Sequence, residues 1–431
     1  MQVIRTDLFG VLREKLGANL HALIEDTIFP VAGDNLGINS ELKDEMCKEI
    51  DIIVNSAAAT RFDERYDTAI RINALGALNI LKFSKQCSKL NMLLHVSTAY
   101  VCGVKEGLIQ EKPLHYGETL NGEFHLDIDA EQKLAEEKLK DLQARNAAEK
   151  EVTLAMRLLG FHPTFHENYD SSGQRYMDGQ THTRSQKQWE RCLKEDLQLI
   201  ILRPTIILST YKEPFPGWIE GMRTTDTFII GYGKGKQNLT IGHKESIIDV
   251  IPADMVVNSI IAAMVAHRNR SSHTTVYHIS SSSRKRLNMG DIVQFFVDHF
   301  KKNPWIDERG KTVKVTQFHL LDSMASLHKY IAIHCKPLLE ILKWANLILC
   351  QRLQTLHSNL ERRINRAIRL AELYKPYLFF KGLFNDTNAE ILRMVTRESN
   401  ADDTFNFDPS TIQWEQYFKE IHIPALVKYI F

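Results

Sequence analysis

Two apolar runs in this chain end in clusters of small residues, and the second ends on a hydroxyl placed for chemistry. DIIVNSAAAT spans Asp51–Thr60, MLLHVSTAYVCG spans Met92–Gly103, and a helix-length segment, Tyr66–Lys89, separates them. At the carboxyl edge of an open parallel sheet, backbone groups and short side chains meet a ligand. Thr98, at the lip of the second run, is therefore a candidate reactive hydroxyl. Chemistry that ends in an alkoxide also needs a proton donor. A Tyr-x-x-x-Lys pair on one helical face supplies it, because the lysine lowers the tyrosine pKa. Two segments have that spacing, Tyr232–Lys236 and Tyr377–Lys381. Both are expected to be coincidental: the first contains glycines that disfavour a helix, and the second lies in a helical region far along the chain.

The elements that must position Thr98 follow from periodicity. Thr6–Asp26 is predicted as a helix from Leu8, Leu12, Leu16, Leu20 and Leu23. Ile28–Asp34 is predicted as a short strand closed by Gly33 and Asp34; Asp34 either faces an adenine or caps the turn. A helix over Ser40–Lys48 leads into a strand at Asp51–Asn55, and a long helix is expected over Asp129–Leu158. Leu197–Pro204 is a buried strand, Ser209–Gly221 a loop, Ser246–Val257 a strand running into a helix, and Thr275–Ser280 another strand. Strands alternating with helices at these lengths imply right-handed crossovers and a parallel sheet. From Leu287 the pattern becomes helical, amphipathic and rich in aromatic and basic residues.

The totals narrow the classes. With 54 basic against 53 acidic residues there is no reason to expect nucleic acid or a charged membrane surface as a partner. Six cysteines show neither metal-ligand spacing nor a disulfide framework, so a reducing compartment is the plain reading and no metal site is expected. Pro337–Cys350, the most apolar late run, is interrupted by Glu340 and Lys343 and is read as a packed helix rather than a span. Peripheral membrane contact stays open.

Five stretches then carry a resemblance: VNSAAATRFDERYD at Val54–Asp67, INALGALN at Ile72–Asn79, HVSTAYVCG at His95–Gly103, LRPTIILSTYKEPFPGWIEG at Leu202–Gly221 and DVIPADMVVN at Asp249–Asn258. Together with KPYLFFKGLFNDTN at Lys375–Asn388, the chain resembles the plant alcohol-forming fatty acyl-CoA reductases, the male-sterility family of extended short-chain dehydrogenases. The resemblance implies an oxidoreductase that uses NADPH to take a long-chain fatty acyl-CoA through an aldehyde to a primary alcohol, a lipid precursor of the wax and suberin kind. It also implies roles. Asn55, Ala57 and Ala58 match the segment along the dinucleotide, with tight packing as the alternative. Asn73 matches the helix asparagine that helps position the catalytic lysine, and Thr98 the hydroxyl that bonds the substrate carbonyl. Arg203 and Pro204 match the strand end beside the nicotinamide. Lys212–Trp218 is expected to shape an acyl or coenzyme A channel, or to be a structural loop.

Two parts of the family pattern are missing. No glycine-rich turn stands between a first strand and a helix N-terminus, where backbone N–H groups and the helix dipole would bind a pyrophosphate. Met1 is read as beginning beyond the first strand. The proton-donor pair, which the family carries in a motif near GWPNTYxFTKAMGE before the LRPTI strand, is replaced by the aperiodic string Phe161–Cys192. The genetic code supplies a reason. Reading triplets from each third base, Met177 into Asp178 must give Gly, and the following junctions allow Trp, Pro, Asn and Thr. His182 into Thr183 allows Tyr, Arg184 into Ser185 allows Phe, Ser185 into Gln186 allows Thr, and Gln186 into Lys187 allows Lys. The rest allow Ala and Met, force Gly and allow Glu. Phe161–Cys192 is accordingly read as a largely out-of-frame translation of the catalytic helix.

The expected architecture is α/β: a Rossmann-like parallel sheet, lacking its first strand or strands and phosphate loop, over residues 1–286, with 161–192 as an anomalous insert. A mainly helical C-terminal domain is expected over 287–431. The resemblance points to the cytoplasm or the endoplasmic reticulum surface, with a plastid left open by the start of the chain. A non-catalytic remnant, or a faulty gene model, that keeps only acyl-CoA or partner binding is the rival reading.

Overall fold

The structure, a computed structural model, describes residues 3–31, 40–61, 64–103, 105–113, 128–159, 197–222, 224–268, 273–398 and 404–430. Asp34 and all of Phe161–Cys192 lie outside the described residues.

Among the described residues, four parallel strands form the main sheet, in the order β1 (Ile52–Asn55), β2 (Met92–Val96), β4 (Gln198–Pro204) and β8 (Thr274–Ile279). Strand β4 is buried along its whole length, as its nearly unbroken apolar run requires of an interior strand covered on both faces. Edge strand β1 instead leaves Ile52 and Val54 exposed. Leu81 and Ala77, from the crossover helix Ala77–Ser84, pack with Leu93, Leu199, Ile201 and Val276 into the core beneath the sheet. Three two-stranded parallel pairs are added: β3 (Gly107–Ile109) with β10 (Gly382–Phe384), β5 (Ile206–Leu208) with β7 (Val250–Pro252), and β6 (Leu239–Ile241) with β9 (His319–Leu321).

Several expected elements are altered for local reasons. The leucine-spaced N-terminal segment is two helices, Gly10–Leu16 and Asn19–Thr27, because the chain turns at Gly17 with φ +53°, a conformation open to glycine. Ile28–Val31 is not a strand. The helix expected over Asp129–Leu158 divides into Ile128–Ala144 and Glu149–Leu159, with Asn146 at φ 51° between them. Tyr66–Ser84 is continuous but widens into a π-helix over Ile70–Gly76, which carries Asn73.

The chain resolves into two compact units that interleave in sequence. The first comprises Met1–Phe215, Val250–Arg284 and Gly382–Ser410; the second comprises Pro216–Asp249, Lys285–Lys381 and Thr411–Phe431. The first unit holds the main sheet. The second is mainly helical. Its core gathers Phe296 and Phe300, on one face of the helix Met289–Lys302, around Tyr232. Gly233 is fixed by close approach, since a Cβ there would stand 2.4 Å from Phe300. Asp226 and His422 pair at 3.1 Å, both fully buried. Among the described residues no helix is long and apolar enough to cross a membrane, and no cluster of His, Cys, Asp or Glu is arranged to hold a metal ion.

Candidate active site

The carboxyl ends of β1, β2 and β4 lie side by side. Asn55 pairs in register with His95, and Val96 with Leu202. One hydrogen bond beyond, Ser97 N–H donates to Leu202 O at 2.7 Å and carries the backbone to the lip.

At the end of β1, buried Asn55 works in two directions. Its Nδ2 lies 3.2 Å from His95 Nδ1, and its Oδ1 accepts from Ala57 N–H at 3.3 Å. With the amide nitrogen as donor, His95 Nδ1 must accept, which puts the proton of a neutral ring on Nε2. Ala57 is exposed and Ala58 half-buried, so the lip presents backbone covered by little more than methyl groups. The next residue is fixed from the π-helix: Asn73 Oδ1 accepts from Ala59 N–H at 2.8 Å and Asn73 Nδ2 donates to Ala59 O at 3.2 Å.

At the end of β2, the alternation of a strand turns Ser97 inward and leaves Thr98 half-buried. Thr98 is the N-cap of the short helix Ala99–Cys102, its Oγ1 accepting from Tyr100 N–H at 3.3 Å. An oxygen used as acceptor on one side keeps its own O–H as a donor. Gly103, at φ 65°, closes this helix.

At the end of β4, Arg203 is buried and donates from Nη1 to Lys112 O at 3.0 Å. It pairs in register with His278, and Pro204 with Ile279. Burial, then the charge of Arg203, pushes the His278 imidazole down to about 3, so it is neutral. Its Nδ1 donates to Asn385 O at 2.8 Å.

Three residues that organise this edge were given no role from the sequence. Glu111 accepts from the backbone N–H groups of His278, at 2.8 Å, and of Asn388 and Ala389, at the start of the helix Thr387–Glu398. Burial nevertheless pushes its carboxyl up to about 7. Asp386 accepts from Ser283 Oγ, Arg284 Nε and Arg393 Nη2. Burial alone would raise its pKa, but hydrogen bonds from Arg284 and Ser283 and the charge of Arg393 hold it below the ordinary carboxylate value. Asp254 accepts from the N–H groups of Tyr211, Lys212 and Glu213 at 2.7–3.0 Å, and Asn258 holds the Glu213 carboxylate at 3.0 Å. The loop after β5 is thereby given its shape from the helix Ala253–Ala266. Asp254 and Asp386 both lie in quoted motifs, DVIPADMVVN and KGLFNDTN; a buried carboxylate beside a turn was the available signal.

Lys212–Trp218 belongs to the first unit as far as Phe215 and to the second from Pro216. Both Tyr-x-x-x-Lys spacings fall in the second unit. Tyr232 donates to Thr316 O at 2.6 Å from within its aromatic core, where burial raises its pKa, and Lys236 follows in a turn after the helix has ended at Gly233. Tyr377 closes the helix Gln354–Leu378. Neither spacing is on a helix of the sheet-bearing unit.

Comparison with known proteins bears on this edge. The chain is 41% identical over its full length to a probable fatty acyl-CoA reductase 4 of Arabidopsis thaliana, of which it covers 87%. It is likewise 41% identical to an alcohol-forming fatty acyl-CoA reductase of Simmondsia chinensis, again covering 87%. The terminal R domain of the myxalamid PKS-NRPS biosynthetic pathway shares the fold, with a TM-score of 0.50 at 13% identity, over 98% of this chain and 82% of that one. Two family models, both described as male sterility protein, match residues 5–260 and 337–431; the first is a nicotinamide-dinucleotide-binding model. With two family models matching most of its length and relatives at 41% identity over its whole length, the chain belongs to the male-sterility family of fatty acyl-CoA reductases.

Proposed function

We propose that this protein, with Phe161–Cys192 read in the shifted frame, uses NADPH to reduce a long-chain fatty acyl-CoA through the aldehyde to the primary alcohol, with release of free coenzyme A. The single observation that carries the siting is Thr98, half-buried at the end of β2 beside the ends of β1 and β4, with its oxygen anchored by Tyr100 N–H and its O–H available to donate. In this reading Thr98 holds the substrate carbonyl oxygen and strengthens that bond as negative charge develops there. Asn55, Ala57 and Ala58 lie along the dinucleotide, which their small, accessible backbone fits, and Asn73 keeps that lip in one shape. Arg203 and Pro204 flank the nicotinamide, and Asp34 faces the adenine. NADPH, when bound, supplies the hydride.

The proton donor comes from Phe161–Cys192 read in the shifted frame, which restores Tyr-x-x-x-Lys before β4. The rival, a remnant that only binds acyl-CoA or a partner, rests on one observation: in the present frame both Tyr-x-x-x-Lys spacings fall outside the sheet-bearing unit. Transcript sequencing across codons 177–191 separates the two. If every transcript encodes the present frame, the proton-donor assignment fails. Initial rates with NADPH and NADH test the cofactor, with NADPH expected to win.

Peripheral membrane contact belongs to the same proposal. The helix Lys336–Ile348 buries Asn346 but exposes Ile341, Trp344 and Ile348 at 64%, 62% and 78%. These residues form one stripe at i, i+3 and i+7, with Lys336 and Lys343 on the adjoining face. An apolar stripe with an indole among its members suits the interfacial zone of a bilayer, where long-chain substrates and alcohols collect. A cytoplasmic protein that visits the endoplasmic reticulum surface is the location this favours. Trp344→Glu with Ile348→Glu should abolish sedimentation with anionic phospholipid vesicles; unchanged sedimentation refutes the contact.

A further inference from the structure

Cys47 and Cys87 stand 40 positions apart in sequence, and the fold of the first unit brings their sulfurs to 3.8 Å. Both thiols are free and buried. Two backbone hydrogen bonds fix their register: Ser88 N–H donates to Cys47 O at 2.9 Å, and Asn91 N–H donates to Asp51 O at 2.8 Å. Phe83 completes the pocket, and Met46, Ile50, Ile53 and Leu90 pack around it. Burial, then the hydrogen bond to Cys47, pushes the Cys87 thiol up to about 12, so it is protonated while the pocket is closed.

The helix Ser40–Glu49, which carries Cys47, leads into β1. Of its ten residues only Cys47 is buried, and a helix held by so little apolar contact belongs to the part of a fold that opens first. Packing alone needs no more than a small apolar residue at each position. Two thiols face to face provide in addition a bond at the one point where this helix is anchored. A disulfide holds its sulfurs at about 2.05 Å. The closure from 3.8 Å lies within the arcs that the two sulfurs sweep about their Cα–Cβ bonds.

We propose that Cys47 and Cys87 are a redox modification site, which a small-molecule disulfide converts to an intramolecular disulfide that latches the helix Ser40–Glu49 beside β1. When the helix opens, the Cys47 thiolate attacks one sulfur of glutathione disulfide, forming a mixed disulfide and expelling one glutathione thiolate. The Cys87 thiolate then attacks the Cys47 sulfur and expels the second. The protein loses two electrons and two protons, which leave in two molecules of reduced glutathione. The bond closes a loop that contains all of β1 and the crossover helix after it, so it secures the edge strand that ends at Asn55. The latch is independent of what the sheet edge binds or reduces.

The reduced full chain is equilibrated without denaturant at graded ratios of glutathione disulfide to glutathione, quenched with acid, alkylated with N-ethylmaleimide and digested without reduction for mass spectrometry. The expected product is a Cys47–Cys87 cross-linked peptide, while exposed Cys350 carries glutathione or N-ethylmaleimide. Brief trypsin treatment of the folded chain should then cut after Lys43 and Lys48 at least about tenfold more slowly in the oxidised form than in the reduced one. Dithiothreitol should restore the reduced rate. Cys47→Ser and Cys87→Ala should each abolish both the cross-link and the protection, with the melting temperature of the reduced variant showing that the fold is kept; the parent-chain measurements stand whether or not either variant folds. No cross-linked peptide at any ratio, a cross-link that forms only in urea, or equal cleavage of the oxidised and reduced forms each overturns the proposal.

Discussion

Asn73 holds Ala59 by both backbone groups, accepting from its N–H at 2.8 Å and donating to its O at 3.2 Å. A side chain on the crossover helix thus sets the shape of the segment that follows β1. Asn73→Leu leaves two backbone groups of a half-buried residue without these partners, and is expected to destabilise the protein by about 2 kcal/mol in urea unfolding. Asn73→Asp keeps the acceptor but loses the donor and brings a charge into a buried position, so it should be no better tolerated. Wild-type stability in both variants would show that the bracket is incidental.

Thr98 is expected to act through its O–H. In protein made from the sequenced transcript, Thr98→Val should lower kcat/KM for palmitoyl-CoA by about a hundredfold, the effect of losing one donor to a developing oxyanion. Thr98→Ser, which keeps the hydroxyl, should retain most of the activity. Equal losses in both would indicate a packing role.

How much could be read beforehand depended on how local the cause is. Strands β2 and β4 were legible because buried parallel strands are near-continuous apolar runs, and β1 and β8 because each is a short β-branched segment between helices. The place of Thr98 just after β2 was legible because such a run ends there. The break at Gly17 was not, since a glycine inside leucine spacing fits a continuous helix equally well. The roles of Glu111 and Asp386 were hidden for a different reason: Glu111 bonds Asn388 and Asp386 bonds Arg284, across long stretches of sequence. Likewise the apolar run Pro337–Cys350 reads as packed, and only the structure exposes Ile341, Trp344 and Ile348.

Asp254 gathers three backbone N–H groups from the loop after β5. Asp254→Ala removes all three acceptors at once, with an expected cost of about 3 kcal/mol. Limited proteolysis should then cut between Tyr211 and Phe215, where the parent chain resists. Equal resistance would mean that the loop is held by other contacts.

Glu111 gives a pH signature. Its carboxyl rises from 4.5 to about 7 in the folded chain, so the folded state keeps a proton that the unfolded state has released. That contribution is complete below pH 4.5 and is lost as pH rises to about 7. His278 runs the other way: depressed from 6.5 to about 3, it contributes above 6.5 and loses that contribution as pH falls. Glu111→Gln removes only the first effect. From pH 5 to 7 the variant should therefore gain roughly 2 to 3 kcal/mol relative to the parent, at about 1.4 kcal/mol per pH unit. Urea midpoints at the two pH values check this, and a pH-independent difference contradicts it.

Alcohol formation tests the central claim most directly. Transcript across codons 177–191 is sequenced, and the protein it encodes is assayed with palmitoyl-CoA and NADPH beside the chain whose Phe161–Cys192 is in the present frame. The expected result is a transcript that restores Tyr-x-x-x-Lys before β4, a protein from it that forms hexadecanol, and no hexadecanol from the present-frame chain. A transcript that encodes Phe161–Cys192 in the present frame, with hexadecanol formed by that chain, would contradict it.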